Sequence, residues 1–466
     1  MRALISSVIA RPLESLLYIT VLLTVAIIMT TPYYYVALIV PLLVLFIMMS
    51  NRKPAYVYYM IVFLIPFGAY RTLSEAGHIK IHYLLAVILI LYLLFKSFNM
   101  RHLPSELKSN LWPFMISLYV VTILTAMYSP YPEDAYPMLA QFAAAIAFIT
   151  IGMYFIDKEA LVKQIPAIVV YSVTLSSFLG VIGYLFNIAL FAQKTEVEGE
   201  FKRGMGGSMD PNNTALIILF VLPLVAEMVT WAKNQTYKLL YMAFYVINML
   251  AIYYTWSRSG AIFGILITAV IFLRHVKKIN VNLIFLQIFF VLLIGAVVIG
   301  ALPEKYMKHF GNITESKQDA SIERRGTYVT VALDSFMKHP LIGTGLGTFR
   351  DIYAETDIAR KFSRSGEDLR RFAHNTYLEY LVGVSSIGLL CFIALELRVV
   401  LNFYTARKNF LKNGEELYAS YSAAYMFSFI AVILYLFMFS EAFHKVFLLS
   451  VSIAHVAHRL SLEKKQ

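Results

Sequence analysis

The feature that most constrains this chain is a series of apolar blocks, each near the roughly 17–25 residues that a helix needs to cross a bilayer. Fourteen can be marked: 13–31, 33–49, 55–70, 81–95, 111–128, 137–155, 164–192, 212–231, 239–256, 260–273, 283–302, 376–397, 417–440 and 442–458. Some, such as 260–273, are short, and the closely spaced pair at each end can be hairpins or re-entrant segments, so 12–14 transmembrane helices are expected. Composition agrees. The chain is 59% hydrophobic and 15% charged over 466 residues, against about 25% charged for a soluble domain. That balance excludes soluble enzymes, secreted disulfide scaffolds and disordered regulators. The fold class expected is all-α, a polytopic membrane protein. The single cysteine, Cys391, lies inside an apolar run, which excludes an intramolecular disulfide and a thiolate metal cluster. The first apolar run has no small-residue cleavage site after it and is expected to be a retained helix.

Charge placement orients the spans. The net charge of +12 would suggest nucleic acid in a soluble protein, but here the question is which side of the membrane holds it. With the N-terminus inside and sides alternating, the inner connections carry Arg52-Lys53, Lys96/Arg101/Lys108, Lys158/Lys163, Lys233/Lys238, Arg274/Lys277/Lys278, Arg398/Arg407/Lys408/Lys412 and Arg459/Lys464/Lys465. Together with Arg2 and Arg11 these hold 21 Lys and Arg, whereas the short outer connections hold seven. This is the positive-inside pattern. It predicts both termini in the cytoplasm, a lipid bilayer as the surroundings and no nucleic-acid partner.

One connection is long. Residues 303–375 carry twelve Lys and Arg, ten Asp and Glu and three His, and fall outside, where long loops cross regardless of charge. Amphipathic spacing at Tyr328, Val331, Ala332 and Phe336, followed by a Pro- and Gly-rich turn, predicts a small folded subdomain of two or three helices. The chain thus divides into N-terminal helices (1–200), helices with outward-facing Arg turns (201–302), the outer helical loop (303–375) and C-terminal helices (376–466).

Three polar stretches share the outer side. Residues 202–213, Lys-Arg-Gly-Met-Gly-Gly-Ser-Met-Asp-Pro-Asn-Asn, lead into a helix. Their glycines allow close backbone approach to a ligand and the helix N-terminus favours an anion; the bland alternative is a turn capped by Asp210 with Pro211 at the first helical position. Thr255-Trp256-Ser257-Arg258-Ser259-Gly260 is a tight turn between apolar runs. Its Arg258 either snorkels to headgroups or serves a site, as ionisable groups at such depth do by default. The loop holds Glu323-Arg324-Arg325, then His339 to Phe349 with Gly343, Gly345 and Gly347, then His374-Asn375-Thr376-Tyr377-Leu378. No strand precedes the glycines and no Gly-Lys-Ser/Thr follows, so a turn is favoured over a phosphate loop. A neutral His374 where the loop re-enters the membrane can act as a general base. Zinc motifs and a Ser elbow are absent from the sequence. Glu227, Glu396 and Glu441 lie near span ends and form no intramembrane carboxylate pair. Arg203, Arg258, Arg325 and His374 all face outward, and guanidinium forks match phosphate oxygens, which suits a lipid diphosphate whose tail lies in the bilayer.

Over roughly 200–390 the sequence resembles the O-antigen ligase/polymerase superfamily of bacterial envelope glycan assembly. The resemblance rests on Arg-Gly…Asp-Pro-Asn (203–212), Thr-x-Ser-Arg-x-Gly (255–260), Arg325 with the following Ala-Leu and His-Pro-Leu-Ile-Gly-Thr-Gly-Leu-Gly-Thr-Phe to 349, and His-Asn-Thr-Tyr-Leu (374–378). It implies a GT-C-like fold and a glycosyltransferase that works without metal or other cofactor. Such an enzyme moves a glycan from an undecaprenyl-diphosphate carrier to a glycan or lipid acceptor on the periplasmic face of the inner (cytoplasmic) membrane, with a chain-length regulator as a further partner. Carried over by position, Arg258 and Arg325 would hold the diphosphate and His374 would activate the acceptor hydroxyl. Arg203, Asp210, Asn212, Arg324, Asn375 and Tyr377 would contact substrate. Where the family has an acidic residue and a Gly after its His-Asn pair, this chain has Gly383 and Ser385; the aromatic expected four residues after the Arg is Val329, with Tyr328 beside it. The reading favours an O-antigen or exopolysaccharide polymerase. The alternatives are a ligase that attaches the glycan to lipid A–core and, outside this chemistry, a multi-pass transporter.

Overall fold

A computed structural model describes residues 54–68, 81–100, 104–195, 201–208, 210–275, 320–362, 369–441 and 443–463. The expected spans at 13–31, 33–49 and 283–302 lie outside them. The chain divides into two compact units, Met1–Leu64 with Arg71–His102 and Ile65–Tyr70 with Leu103–Gln466. The first contains helices α1 (Ala55–Phe63) and α2 (Ile81–Met100).

The second is a helical bundle: α3 (Trp112–Met127), α4 (Pro132–Phe155), the short α5 (Lys158–Val162), α6 (Gln164–Phe186), a hairpin of β1 (Ala192–Thr195) and β2 (Phe201–Gly204), α7 (Pro211–Trp231), α8 (Gln235–Tyr254) and α9 (Arg258–His275). After these come α10 (Ala320–Lys338), α11 (Phe349–Ala354) and α12 (Asp357–Phe362), then α13 (Thr376–Lys412), α14 (Glu416–Tyr435) and α15 (Lys445–Leu462). Each apolar block within the described residues has become a helix. Among them α4, α6, α7, α9, α13 and α14 are long and apolar enough to cross a membrane, so the protein is an all-α polytopic membrane protein. The hairpin is its one small sheet among the described residues, antiparallel with Gln193 opposite Arg203.

The boundaries have local causes. Asp157, Asp210 and Asn234 cap α5, α7 and α8 by accepting the N–H of Ala160 (2.7 Å), Asn213 (2.7 Å) and Tyr237 (2.9 Å). Pro132 and Pro211 occupy the first position of α4 and α7, where no N–H is needed. Asn187, at φ 61°, ends α6 in the left-handed region. Helix α7 is the buried centre, with Leu216 to Leu222 all fully or nearly fully enclosed, and it packs against α6, α8, α9 and α14. Helix α14 in turn packs on α13, which carries α3, α10 and α15. Sides are consistent with the charge pattern: Lys158 pairs with Glu415 at 2.8 Å and Arg274 with Glu227 at 2.6 Å at one end of the bundle, whereas the starts of α7, α9 and α13 meet at the other.

The described part of the long loop has its own core. Tyr328, Val331 and Ala332 of α10 pack with Phe349, Tyr353, Ala359 and Ala373 and with Val382 of α13. Phe336, the fourth residue of the amphipathic pattern, is only half-buried. The glycine-rich turn is a docking element. Helix α13 kinks at Ser385, which lies at φ 58°, and the kink releases carbonyls from the helical ladder. The loop's backbone takes two of them: Thr344 N–H donates to Val382 O (3.1 Å) and Gly345 N–H to Gly383 O (2.9 Å). Contact is so close that a Cβ on Gly383 would stand 2.7 Å from Leu346 Cα and 2.8 Å from Gly345 O. Backbone atoms cannot swing aside, so Gly383→Ala is expected to destabilise by about 1–3 kcal/mol, read as a lowered melting temperature in detergent.

Candidate active site

The first polar stretch is organised by its neighbours. Gly206, at φ 54°, fits against Ser176 of α6, whose Oγ accepts the Gly207 N–H at 3.0 Å. These glycines are therefore used in packing. The Arg203 side chain leaves the hairpin to donate from Nε to Thr255 O (2.8 Å) and from Nη2 to Asn212 Oδ1 (3.3 Å). One guanidinium thus ties the 202–213 stretch to the 255–260 turn. Asp210 caps α7, and Asn213 Oδ1 lies 2.6 Å from His444 Nε2.

In the second stretch Thr255 closes α8, Trp256 reverses the chain at φ 54°, and Ser257 caps α9 by accepting the Gly260 N–H at 3.2 Å. The Ser257 hydroxyl also meets the Tyr435 hydroxyl of α14 at 3.0 Å. Gly260 is needed because a Cβ there would come 2.7 Å from Ala215 Cβ on α7. The half-buried Arg258 is then the first residue of α9, at the same end of the bundle as Arg203.

His374 is held from both sides. The Ala373 N–H donates to Glu379 Oε1 (2.8 Å), which also accepts from Ser440 Oγ (2.9 Å). Asn375 N–H donates to Ser440 Oγ (3.1 Å), and Thr376 N–H reaches Leu436 O (2.9 Å) and Phe439 O (3.0 Å). Pinned in this way to the turn after α14, His374 adopts φ 50°, a conformation costly for a non-glycine residue and met most often at functional sites. Its ring lies 6.2 Å from that of Tyr328, tilted by 36°, and the residue keeps solvent access. Crowding by protein and then the Arg325 charge lower its pKa below the ordinary 6.5, with Asp210 opposing and Arg371 and Arg324 adding to the effect. The imidazole is therefore neutral at physiological pH. Burial raises the Tyr328 phenol, which hydrogen-bonds Arg371.

Arg325 is exposed on α10. Arg324 lies over the Phe362 ring at 5.9 Å, with Nε buried and lacking a hydrogen-bond partner among the described residues. Arg203, Arg325 and Asp210 all act electrostatically on Tyr435, and Arg325 and Asp210 on His374. Residues 203, 210, 212, 324, 325 and 374 thus converge on one end of the bundle, with Arg258 joined through Ser257. Two expected contacts are otherwise engaged. Asn375 spends its Oδ1 capping α13, accepting from Tyr377 N–H (2.9 Å) and Leu378 N–H (3.2 Å). The buried Tyr377 hydroxyl lies 3.1 Å from Glu396 Oε1 and 2.9 Å from Ile433 O, with its ring stacked on Phe437. Sequence reading missed Tyr435, Glu379, Ser440 and His444. Ser440-Glu441 is a polar break between two apolar runs and was the available signal for that turn; Tyr435 sits in an apolar run that gives none.

None of the curated proteins matches the chain. A family model does, over residues 240–393, and its description is O-antigen ligase. The matched segment runs from within α8 through α9 and the loop helices into α13, and takes in Arg258, Arg324, Arg325, His374, Asn375 and Tyr377. Residues 240–393 are therefore similar to the O-antigen ligase family, over the residues where the bundle end, the outer loop and His374 meet.

Proposed function

We propose that the protein is a glycosyltransferase of bacterial envelope assembly that moves a glycan from an undecaprenyl-diphosphate carrier to an acceptor sugar, without metal, at a site on the periplasmic face of the inner membrane. The observation that carries this reading is the convergence of Arg203, Arg325 and Asp210 with a neutral His374 at one bundle end, from three stretches separated in the chain by 115 and 49 residues. In the reaction the acceptor hydroxyl oxygen attacks the anomeric carbon of the donor. The bond from that carbon to the diphosphate oxygen breaks, and its electron pair leaves with the diphosphate. The acceptor proton passes to the free ring nitrogen of His374. Arg258 and Arg325 offset the charge that develops on the leaving group, the form of catalysis that contributes most when the donors are already in place. Arg203 orients the 255–260 turn as well as adding charge. The positive-inside pattern supports the periplasmic placement and cytoplasmic termini.

A polymerase, which adds one lipid-linked unit to another, is the reading we favour; the ligase reading is supported by the description of the matched family. The test is incubation of the purified protein with a synthetic undecaprenyl-diphosphate oligosaccharide as the only glycan. Longer lipid-linked chains establish a polymerase. Transfer only when lipid A–core is added establishes a ligase. No transfer to either moves the assignment to a transporter.

The base assignment fixes a pH dependence. Protonation removes the base, so kcat/KM should fall as pH drops through the His374 pKa, which lies below 6.5. Arg371 is one of the cations that hold it down. Arg371→Gln should therefore raise that pKa and move the acid limb to higher pH. An acid limb above 6.5 in the wild type would remove His374 from the role.

A further inference from the structure

The tip of the outer loop is apolar and uncovered. Met337, Leu341 and Ile342 are 71%, 72% and 51% exposed, an unusual cluster for a segment expected to stand in water. The tip is fastened to α13 at its kink. Pro340 O accepts from Ser385 Oγ and from Ser386 Oγ (3.4 Å), and the Thr344 and Gly345 N–H groups pair with Val382 and Gly383. The kink at Ser385 folds α13 back on itself, for Tyr377 reaches Glu396 at 3.1 Å and Tyr380 stacks on Phe392 at 4.1 Å, so the long segment that crosses the membrane starts here. On α13, the outward-facing apolar surface begins at the next turn, with Ile387 at 49% and Leu390 at 65% exposed. On the other side Ser129 Oγ donates to Thr344 O at 2.5 Å, at the end of α3 where Met127 and Tyr128 are exposed. The tip is thus level with, and continuous with, surfaces that a spanning helix presents to lipid.

We propose that residues 337–342 are seated in the bilayer, at the boundary of the leaflet that the outer ends of α3 and α13 enter. The occupant of this surface is membrane lipid. Lys338, whose ammonium pairs with Asp334 at 2.7 Å, and His339, both exposed, stand beside the apolar residues, where their polar ends reach the headgroup layer. The shape is that of an interfacial anchor, an apolar face sunk a few ångströms among acyl chains beneath a polar rim. The inference is independent of the glycosyltransferase reading. If both hold, the anchor fixes the height of α10 above the membrane and with it that of Arg325.

The test is depth measurement on the full chain in nanodiscs of phosphatidylcholine and phosphatidylglycerol. Cys391, the single cysteine, is replaced by Ala, and an environment-sensitive fluorophore is attached at Leu341→Cys or, separately, Ile342→Cys. Both side chains are exposed, so labelling costs little packing. Lys361→Cys, exposed on α12, serves as the water-facing control and Leu390→Cys as the lipid-facing one. Quenching by nitroxide-bearing lipid at 341 and 342, as at 390, with little quenching by aqueous iodide, is the expected result. Iodide quenching equal to that at 361 overturns the proposal. Protection from both quenchers also overturns it, because protein rather than lipid would then cover the tip.

Discussion

Arg325→Ala is expected to lower the transfer rate by about 10²–10³-fold, the usual effect of removing one preorganised donor from a developing negative charge, with little change in melting temperature. Arg325 is exposed, so its loss leaves no buried partner behind. Arg325→Lys keeps the charge but not the bidentate fork and should recover only part of the rate. Arg324→Ala contrasts with both, because that side chain packs on Phe362 and its loss falls on loop stability. For His374 the informative variant is Asn rather than Ala. The residue sits at φ 50°, where Asn is tolerated better than most side chains. His374→Asn keeps the backbone and removes the base, and about 10²–10⁴-fold of rate should go with it. Rates per folded molecule, with melting curves beside them, check all four. An Arg325→Ala protein at the wild-type rate would exclude a diphosphate held at this position.

Much of this architecture is legible because lipid and helix geometry demand long apolar runs, and those runs are in the chain. The Asp210-Pro211 cap and the 255–260 turn are legible too, since capping chemistry is local. Hydropathy misjudges where a helix ends once it leaves the apolar layer. Helix α13 continues past residue 397 to Lys412 because Asn402, Phe403, Ala406 and Phe410 remain buried against neighbours, although Arg398, Arg407 and Lys408 end the apolar run. The hairpin at 192–204 was hidden because its first strand follows directly on the apolar stretch of α6. Within the candidate site, Arg203, Arg325 and His374, which the structure brings to one bundle end, are among the residues the sequence singles out. Asn375 and Tyr377 share a motif with His374, but the structure engages one as a cap and buries the other. The aromatic against His374 is Tyr328, three residues after Arg325 rather than four, since that is the face of α10 that turns toward the loop core. Tyr435 and Glu379 act across the fold, and no local pattern announces such pairings.

The largest stability effect is expected far from the chemistry, at Glu227. Its side chain has no solvent exposure. One carboxylate oxygen lies 2.6 Å from Arg274 Nη2 and 3.2 Å from His275 Nε2, and the other accepts from Ser420 Oγ at 2.5 Å. Arg274 also donates to Ser420 O at 2.8 Å. A single acid therefore ties α7, α9 and α14 together at the end opposite the candidate site. Glu227→Ala leaves the arginine, only 21% exposed, without its counter-charge in a poorly hydrated setting. Breaking a buried pair from one side costs about 3–5 kcal/mol, with the lower figure favoured by the arginine's residual access to water. The melting temperature in detergent should fall by roughly 10 °C. Replacing both partners with leucine should cost much less than Glu227→Ala alone, since neither charge is then stranded. Because α9 and α14 are joined again at their other ends by Ser257 and Tyr435, loosening them at Glu227 should also reduce activity. Arg258, on the first turn of α9, depends on that alignment. A Glu227→Ala protein that melts with the wild type would mean that the three helices are held by apolar packing alone.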